Sequence, residues 1–220
     1  MTRTLILPGF HNSDPGHWQS RWEARDRTLL RVNQEDWETP HCADWIARLD
    51  EALGLTELDT VLVAHSAACV LVAHWAVGDS SRRVRAALLV APSDPEATSF
   101  PSGATGFAPI PMLRLRFPSI VVASSNDPYV TLSRAQAFAA AWGSEFAMIG
   151  DAGHINTASG LGDWAQGLAL LNTLRKTAVE NVSQIVRRKR MPKETSGGGA
   201  PRSSPRTTTA FSAGFSRAFL

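Results

Sequence analysis

The sequence predicts an α/β protein, a three-layer α/β/α sandwich built around a mainly parallel sheet of about six strands. Short apolar runs, apolar on both faces as buried parallel strands are, alternate with longer segments that carry apolar residues at helical spacing. The strand-like runs end at Pro, Gly or Asn-Asp-Pro turn signals. Because parallel strands need crossover connections, this alternation predicts helices on both faces of one sheet.

The first half of the chain supplies three strands and three helices. The strands are predicted at residues 4–7, 28–32 and 59–64, and the helices at residues 17–27, 39–53 and 67–77. The middle helix is predicted to begin at Thr39-Pro40, because threonine is a good N-cap and proline is favoured at the first helical position. Trp45, Ile46 and Leu49 then share one apolar face of that helix.

The second half continues the alternation around one long irregular stretch. Strands are predicted at residues 84–91, 119–124 and 145–149, and helices at residues 132–142 and 163–176. Thr131 is placed to cap the first of these helices. Residues 93–117 contain four prolines and no periodic pattern, which makes them a natural place for a small cap over a site.

The charge of the chain is divided unevenly along its length. The 220 residues have a formal net charge of +2, yet residues 1–174 carry 12 basic and 18 acidic side chains, whereas residues 175–220 carry 10 basic and 2 acidic. The chain is therefore an acidic body of net charge −6 followed by a basic segment of net charge +8. We predict a folded domain over residues 1–176 and a disordered basic tail over residues 177–220.

Composition excludes several classes of protein. Two cysteines are too few for a disulfide scaffold or a four-cysteine zinc site, which favours a reducing, cytoplasmic location. The longest apolar run, residues 67–73, is far shorter than a membrane-spanning helix, and the N-terminus has no secretory h-region. The basic cluster at residues 187–190 would attract nucleic acid or anionic lipid only weakly, so no nucleic-acid or membrane partner is predicted for the folded domain.

The strongest local motif extends from Val61 to Ala68, where an apolar strand passes through His65-Ser66 directly into an apolar helix. This is the context of a nucleophile elbow, a sharp strand-to-helix turn that exposes a strained serine above the sheet. Small residues are needed two positions before and two after the serine, because strand and helix approach closely there. The usual glycines are replaced here by Ala64 and Ala68. The alternative interpretation is that Ser66 only caps the helix.

A nucleophilic serine needs a base, and the base needs an orienting acid. His154 follows the sixth predicted strand, and Asp127 follows the fifth in an Asn-Asp-Pro sequence that is also common in ordinary turns. Since Ser66 follows the third strand, all three side chains are expected at the carboxyl edge of the sheet, where ligands bind in such folds. Asp94 and Asp151 are alternative acids, and Asp127 is favoured because it has its own loop.

An oxyanion hole is expected from backbone N–H groups near the serine. Ala67 would supply one donor, and the loop after the first strand would supply the other, with Phe10 favoured and His11 next. That loop is neither a dinucleotide-binding nor a phosphate-binding glycine motif. A metal site is disfavoured, because the spacing of His11, His17 and His41 matches no standard zinc motif.

Beyond these single motifs, the order of several blocks resembles a known family. The blocks are Pro8-Gly9-Phe10-His11-Asn12-Ser13, residues 16–23, Val63-Ala64-His65-Ser66, Asn126-Asp127-Pro128-Tyr129, and residues 153–156 with 159–164. Over about residues 3–176 the chain resembles the small serine hydrolases related to retinoblastoma-binding protein nine and bacterial YdeN. The resemblance implies a compact α/β-hydrolase fold without a large lid and a triad of Ser66, Asp127 and His154. The basic tail is not a feature of that family.

Together, these observations predict a serine hydrolase that cleaves a carboxylic ester, thioester or amide of a small acyl substrate. The expected reaction passes through an acyl-enzyme and needs no metal or organic cofactor. The rival hypothesis is a non-catalytic interaction protein on a hydrolase fold, motivated by the two alanines at the elbow and by the tail. The retention of serine, aspartate and histidine in the expected order favours the enzyme.

Overall fold

The structure of the protein is a computed structural model that describes residues 2–55, 59–78 and 84–190, with side chains described as far as residue 180. Six strands form one sheet in the order β2-β1-β3-β4-β5-β6, and every neighbouring pair is parallel. The strands are β1 (Thr2–Leu7), β2 (Leu29–Arg31), β3 (Asp59–His65), β4 (Val84–Val90), β5 (Ser119–Ala123) and β6 (Glu145–Met148). The predicted six-stranded parallel sheet and α/β class are confirmed.

In the part of the chain that the structure describes, five α-helices cover the two faces of this sheet. They are α1 (Trp18–Arg25), α2 (Cys42–Gly54), α3 (Ala67–Trp75), α4 (Leu132–Trp142) and α5 (Ala165–Arg190), and a short 3-10 helix lies at Thr157–Ser159. One buried apolar cluster joins α2, α3 and α4 to alternate residues of the strands, and a second joins α1 and α5 to the residues between them. Because neighbouring residues of a strand point to opposite faces, strands that are apolar on both faces contribute residues to both buried clusters.

A buried glutamine links α1 to the carboxyl ends of two strands. The Gln19 side-chain amide donates hydrogen bonds to the backbone oxygens of Leu7 and Val63, both at 3.2 Å. Its oxygen accepts the Ser13 hydroxyl at 2.6 Å, and the side chain is fully buried. Every polar atom of this amide therefore has a partner, as burial requires. The contacts hold the loop after β1 against the edge of the sheet.

The predicted start of α2 is wrong. Helix α2 begins at Cys42 rather than at Thr39-Pro40, and the side chain of His41 is its N-cap. The Thr39 hydroxyl instead donates to the carboxylate of Asp36 at 2.6 Å, which removes it from the capping role. The backbone of Pro40 and Cys42 pairs with Thr105, and this pairing keeps the preceding residues extended.

Helix α5 is longer than predicted. It continues past residue 176 to Arg190, so residues 177–190 of the predicted tail are helical. Apolar residues continue there at helical spacing, at Ala178, Val182 and Ile185, and Ala178 is fully buried in the apolar cluster of α1 and α5. The rest of the predicted tail, residues 191–220, lies outside the described residues, and its disorder stays a prediction. In the described part of the chain, no helix has both the length and the apolar character needed to cross a membrane.

Candidate active site

Ser66 lies at the sharp turn between β3 and α3, with φ of 60° and ψ of −129°. A positive φ is strained for a residue with a Cβ, and such strain persists only where the surrounding structure enforces it. The Ser66 N–H donates to the Val90 carbonyl at 2.9 Å, which ties the turn to the end of β4. The hydroxyl makes no helix-capping hydrogen bond, so the alternative of a capping serine is wrong.

The residues around this turn are small because the backbone segments approach closely. Ala64 and Ala68 are fully buried, and the turn keeps its positive φ with alanine in both positions. The closest approach comes from the loop after β1, since a Cβ on Gly9 would lie 2.6 Å from the Ser66 Cβ and 3.0 Å from the His65 carbonyl oxygen. Gly9 therefore lies where an added Cβ would clash with Ser66, and no role was predicted for it from the sequence.

A continuous line of hydrogen bonds joins the three predicted site residues. The Ser66 Oγ lies 2.8 Å from the His154 Nε2, and the His154 Nδ1 lies 3.0 and 2.9 Å from the two carboxylate oxygens of Asp127. The Asp127 side chain is fully buried, and that of His154 is 8% exposed. An ionised carboxylate only accepts, so Nδ1 carries the proton of a neutral imidazole and Nε2 accepts the serine proton.

The two alternative acids are occupied elsewhere. Asp94 pairs with Arg134, whose Nε lies 2.9 Å from its carboxylate. Asp151 accepts a hydrogen bond from the Ser125 hydroxyl. Neither has a hydrogen bond to His154, so among the three acids considered the contact with His154 is made by Asp127. Asp127 also accepts the backbone N–H of Tyr129 at 2.9 Å. This is the hydrogen bond expected of an ordinary Asn-Asp-Pro turn, so the same residue stabilises the turn and contacts His154.

The side chains of Ser124 and Asn126 connect the loop that carries Asp127 to the loop that carries His154, and neither was predicted as a site residue. The Asn126 Oδ1 accepts the backbone N–H of Gly153 at 2.7 Å, immediately before His154. The Ser124 hydroxyl accepts the Ala152 N–H at 2.9 Å and donates to Asn126 at 2.8 Å. These bonds set the distance between the loops that carry Asp127 and His154. Their only signal in the sequence is a run of small polar residues directly after a predicted strand.

The two tryptophans of α1 donate hydrogen bonds to the segment that follows His154. The Trp18 Nε1 donates to the Ile155 carbonyl at 2.8 Å, and the Trp22 Nε1 donates to the Asp163 carbonyl at 2.7 Å. The ring of Trp18 also packs edge-on against Trp164, with centroids 4.9 Å apart. The Gly-His-Trp block near the N-terminus thus holds the segment that follows His154.

Within the described residues, the backbone N–H groups of Phe10 and Ala67, both near Ser66, have no acceptor. The alternative donor His11 is committed, because its N–H donates to the Trp37 carbonyl at 3.0 Å. Ala67 is the first residue of α3, where backbone N–H groups are unpaired by geometry. Of the two donors considered for the loop after β1, the structure therefore leaves Phe10 available.

Two further histidines lie beside His154. The His65 Nε2 donates to the His154 backbone carbonyl at 2.9 Å, and the rings of His17 and His65 have centroids 4.8 Å apart. Burial lowers the pKa of His17 to about 4 and lowers that of His65 well below its usual range. Both rings are therefore neutral near pH 7 and add no positive charge next to His154.

The three histidines considered for a metal site each have another partner. The His11 Nδ1 lies 2.8 Å from a Glu38 carboxylate oxygen, while His17 and His41 accept backbone N–H groups at the starts of α1 and α2. Across residues 2–55, 59–78 and 84–180, no group of three or more His, Cys, Asp or Glu side chains is arranged to hold a metal ion.

A cavity of about 650 Å³ opens onto the serine and histidine. Its lining includes Ser66, Ser93 and His154 together with the aromatic rings of Phe10, Phe100 and Tyr129. Phe100 comes from the irregular stretch between β4 and β5, so part of that stretch borders the site, as expected of a small cap. This volume is within the usual range for small-molecule sites.

Comparison with known proteins shows the family to which the chain belongs. A family model described as serine hydrolase matches residues 4–173. A YdeN-like hydrolase from Pectobacterium atrosepticum has 30% sequence identity and a TM-score of 0.72, with 81% of this chain and 92% of that chain covered. The ydeN gene product of B. subtilis has 18% identity and a TM-score of 0.61, covering 80% of this chain and 100% of its own.

An enzyme of known reaction class shares the fold. A thermophilic esterase from Thermogutta terrifontis has 18% identity and a TM-score of 0.60, with 81% of this chain and 91% of that chain covered. No curated protein matches the chain in sequence. Since the family model spans most of the chain, and the Pectobacterium hydrolase reaches 30% identity over most of both chains, the protein belongs to the serine hydrolase family.

Proposed function

We propose that the protein hydrolyses a carboxylic ester of a small acyl substrate through an acyl-enzyme on Ser66, with thioesters and amides open to the same chemistry. The observation that carries the proposal is the hydrogen-bond line from Ser66 through His154 to Asp127 at a strained elbow beside the cavity. The similarity to an esterase fold supports the ester as the first substrate class to test.

In the acylation step, the Ser66 Oγ attacks the carbonyl carbon of the ester while His154 Nε2 takes the serine proton. The imidazolium that forms is stabilised by the Asp127 carboxylate, which also holds the proton on Nδ1 in the required tautomer. His154 then donates its new proton to the alcohol oxygen as the ester C–O bond breaks. The alcohol leaves, and the acyl group stays on Ser66.

The carbonyl oxygen becomes negatively charged during this attack and needs donors that are already in place. The N–H groups of Phe10 and Ala67 are proposed as those donors. Support comes from their lack of acceptors in the described chain and from the close approach of Gly9 to Ser66. Ala67 adds the favourable N-terminal end of the α3 dipole.

Deacylation repeats the chemistry with water as the nucleophile. His154 takes a proton from water, the hydroxide oxygen adds to the acyl carbon, and the Ser66 Oγ leaves with the proton returned by His154. The products are the carboxylic acid and the free serine, so every proton is accounted for by serine, histidine and water.

A fluorophosphonate probe tests the nucleophile directly. We expect wild-type protein to be labelled at Ser66 and the Ser66→Ala variant not to be labelled, because the phosphorus is attacked by the activated serine oxygen. Ser102→Ala, at an exposed serine of the stretch between β4 and β5, is the matched control and should label normally. Labelling that survives in Ser66→Ala would contradict the assignment.

Turnover of short-chain p-nitrophenyl esters tests the reaction. We expect steady release of p-nitrophenol by wild-type protein and release near the uncatalysed rate by Ser66→Ala. Absence of both turnover and labelling in the wild type would instead favour a non-catalytic interaction protein on this fold.

A further inference from the structure

Ser93 lies close to the candidate nucleophile and has no role in the mechanism described above. It follows β4, two residues beyond Ala91, whose φ of 48° turns the chain at the carboxyl edge of the sheet. The Ser93 side chain is 4% exposed, and its Oγ lies 2.8 Å from the Ser66 Oγ. Within the described residues its hydroxyl has no other hydrogen-bond partner.

The direction of this hydrogen bond follows from the rest of the line. Asp127 accepts the Nδ1 proton of His154, so the neutral imidazole has only its Nε2 lone pair to offer Ser66. The single hydroxyl proton of Ser66 therefore points to His154. The Ser66 oxygen is left as the acceptor, and Ser93 must be the donor.

We propose that Ser93 is a further catalytic residue, whose hydroxyl donates to the Ser66 oxygen and assists its departure from the acyl-enzyme. This inference rests on the proposed function. An ester oxygen accepts hydrogen bonds poorly, whereas the serine oxygen gains negative charge as its bond to the acyl carbon breaks. The Ser93 donor is thus stronger in the deacylation transition state than in the acyl-enzyme, which is the condition for accelerating that step.

Proton balance is unchanged by this contact. Water loses a proton to His154, His154 passes it to the Ser66 oxygen as the C–O bond breaks, and Ser93 keeps its own proton throughout. In acylation the same hydrogen bond already exists to the free serine, so the resting state and the transition state both benefit from it. Removing the donor should consequently slow deacylation more than acylation.

The test is a kinetic comparison of wild type and Ser93→Ala with p-nitrophenyl acetate, whose good leaving group makes acylation fast. We expect kcat to fall about five- to tenfold, the usual effect of one lost hydrogen bond. KM should fall in proportion, so that kcat/KM changes by less than about twofold. Intact-protein mass spectrometry should show a larger acetylated fraction in the variant during turnover.

Two further variants separate the hydroxyl from packing. Ser93→Cys keeps the approximate size of the side chain with a weaker donor and should give an intermediate kcat, and the exposed Ser102→Ala should match wild type. An unchanged kcat in Ser93→Ala, or equal losses in kcat and kcat/KM, would overturn the role of Ser93 alone. A wild-type protein that neither turns over the ester nor reacts with the fluorophosphonate would overturn the proposed function as well.

Discussion

On one side of the cavity Ser66 is placed by the backbone, whereas on the other side Asp127 and His154 are placed by side-chain hydrogen bonds. Ser66 has a positive φ at a buried turn. Gly9 packs so closely against it that a Cβ added to Gly9 would clash with Ser66. The acid and base occupy two loops that Ser124 and Asn126 join to each other. The backbone-held side should therefore be sensitive to an added methyl group, and the hydrogen-bonded side to the loss of a single polar group.

The largest loss of turnover is expected when the hydrogen-bond line from Ser66 through His154 to Asp127 is broken. Asp127→Asn should lower turnover about 10³- to 10⁴-fold, because an amide in that position favours the wrong tautomer of His154 and cannot stabilise the imidazolium. Steady-state ester hydrolysis measures the effect. Asp94→Asn and Asp151→Asn are the matched controls, and a comparable loss in either would identify a different acid.

The backbone-held side is tested by adding a single methyl group. Gly9→Ala would place a Cβ 2.6 Å from the Ser66 Cβ and close to a backbone oxygen, neither of which can move aside cheaply. We expect turnover to fall about 100-fold as the elbow is displaced, with a loss of about 1–3 kcal/mol in the free energy of unfolding. Gly54→Ala in α2 is the control, since no other atom lies within 4 Å of its added Cβ. Full activity in Gly9→Ala would show that the close approach is not required.

Buried His17, whose ring packs against that of His65, makes the stability of the folded protein sensitive to acid. Burial lowers the pKa of His17 to about 4, with smaller opposing effects from Asp14 and reinforcing ones from Arg31 and His154. The unfolded chain takes up this proton near pH 6.5 and the folded chain only near pH 4. Stability is therefore lost as pH falls from about 6.5 to about 4.

Chemical denaturation at two pH values measures this loss. Between pH 7 and pH 5, His17 should lower the free energy of unfolding by about 2 kcal/mol, and His17→Asn should recover most of that difference while keeping a capping oxygen for α1. His41→Asn, at the exposed cap of α2, is the matched control. An identical pH dependence in wild type and His17→Asn would contradict the burial argument.

The smallest effect is expected where one bond between the acid and base loops is removed. Asn126→Ala leaves the Gly153 N–H without its acceptor, and we expect about a tenfold loss of turnover as His154 becomes less well placed. Exposed Asn172→Ala on α5 should leave turnover unchanged. A loss as large as that of Asp127→Asn would mean that the loops cannot hold their geometry without this bond.

The sequence was most informative where buried strands and their carboxyl ends determine the outcome. Apolar runs that end at turn signals predicted six parallel strands and the loops that carry Ser66, Asp127 and His154. These loops meet because parallel strands bring their carboxyl ends to one edge of the sheet. The start of α2 was predicted wrongly because local capping preferences favoured Thr39, while pairing with Thr105 keeps the chain extended as far as His41. The end of α5 was missed because residues 177–190 were assigned to the basic tail by its charge, although Ala178, Val182 and Ile185 continue the helical spacing.

What the sequence determined by itself is the list of candidate site residues and the edge of the sheet at which they meet. What only the tertiary structure decided is which partners each one has. Asp127 rather than Asp94 faces His154, Phe10 rather than His11 keeps a free N–H, and Ser93 contacts the nucleophile. Those choices depend on contacts between residues far apart in the chain. Local pattern carries no information about such distances, because they are set by how the loops pack.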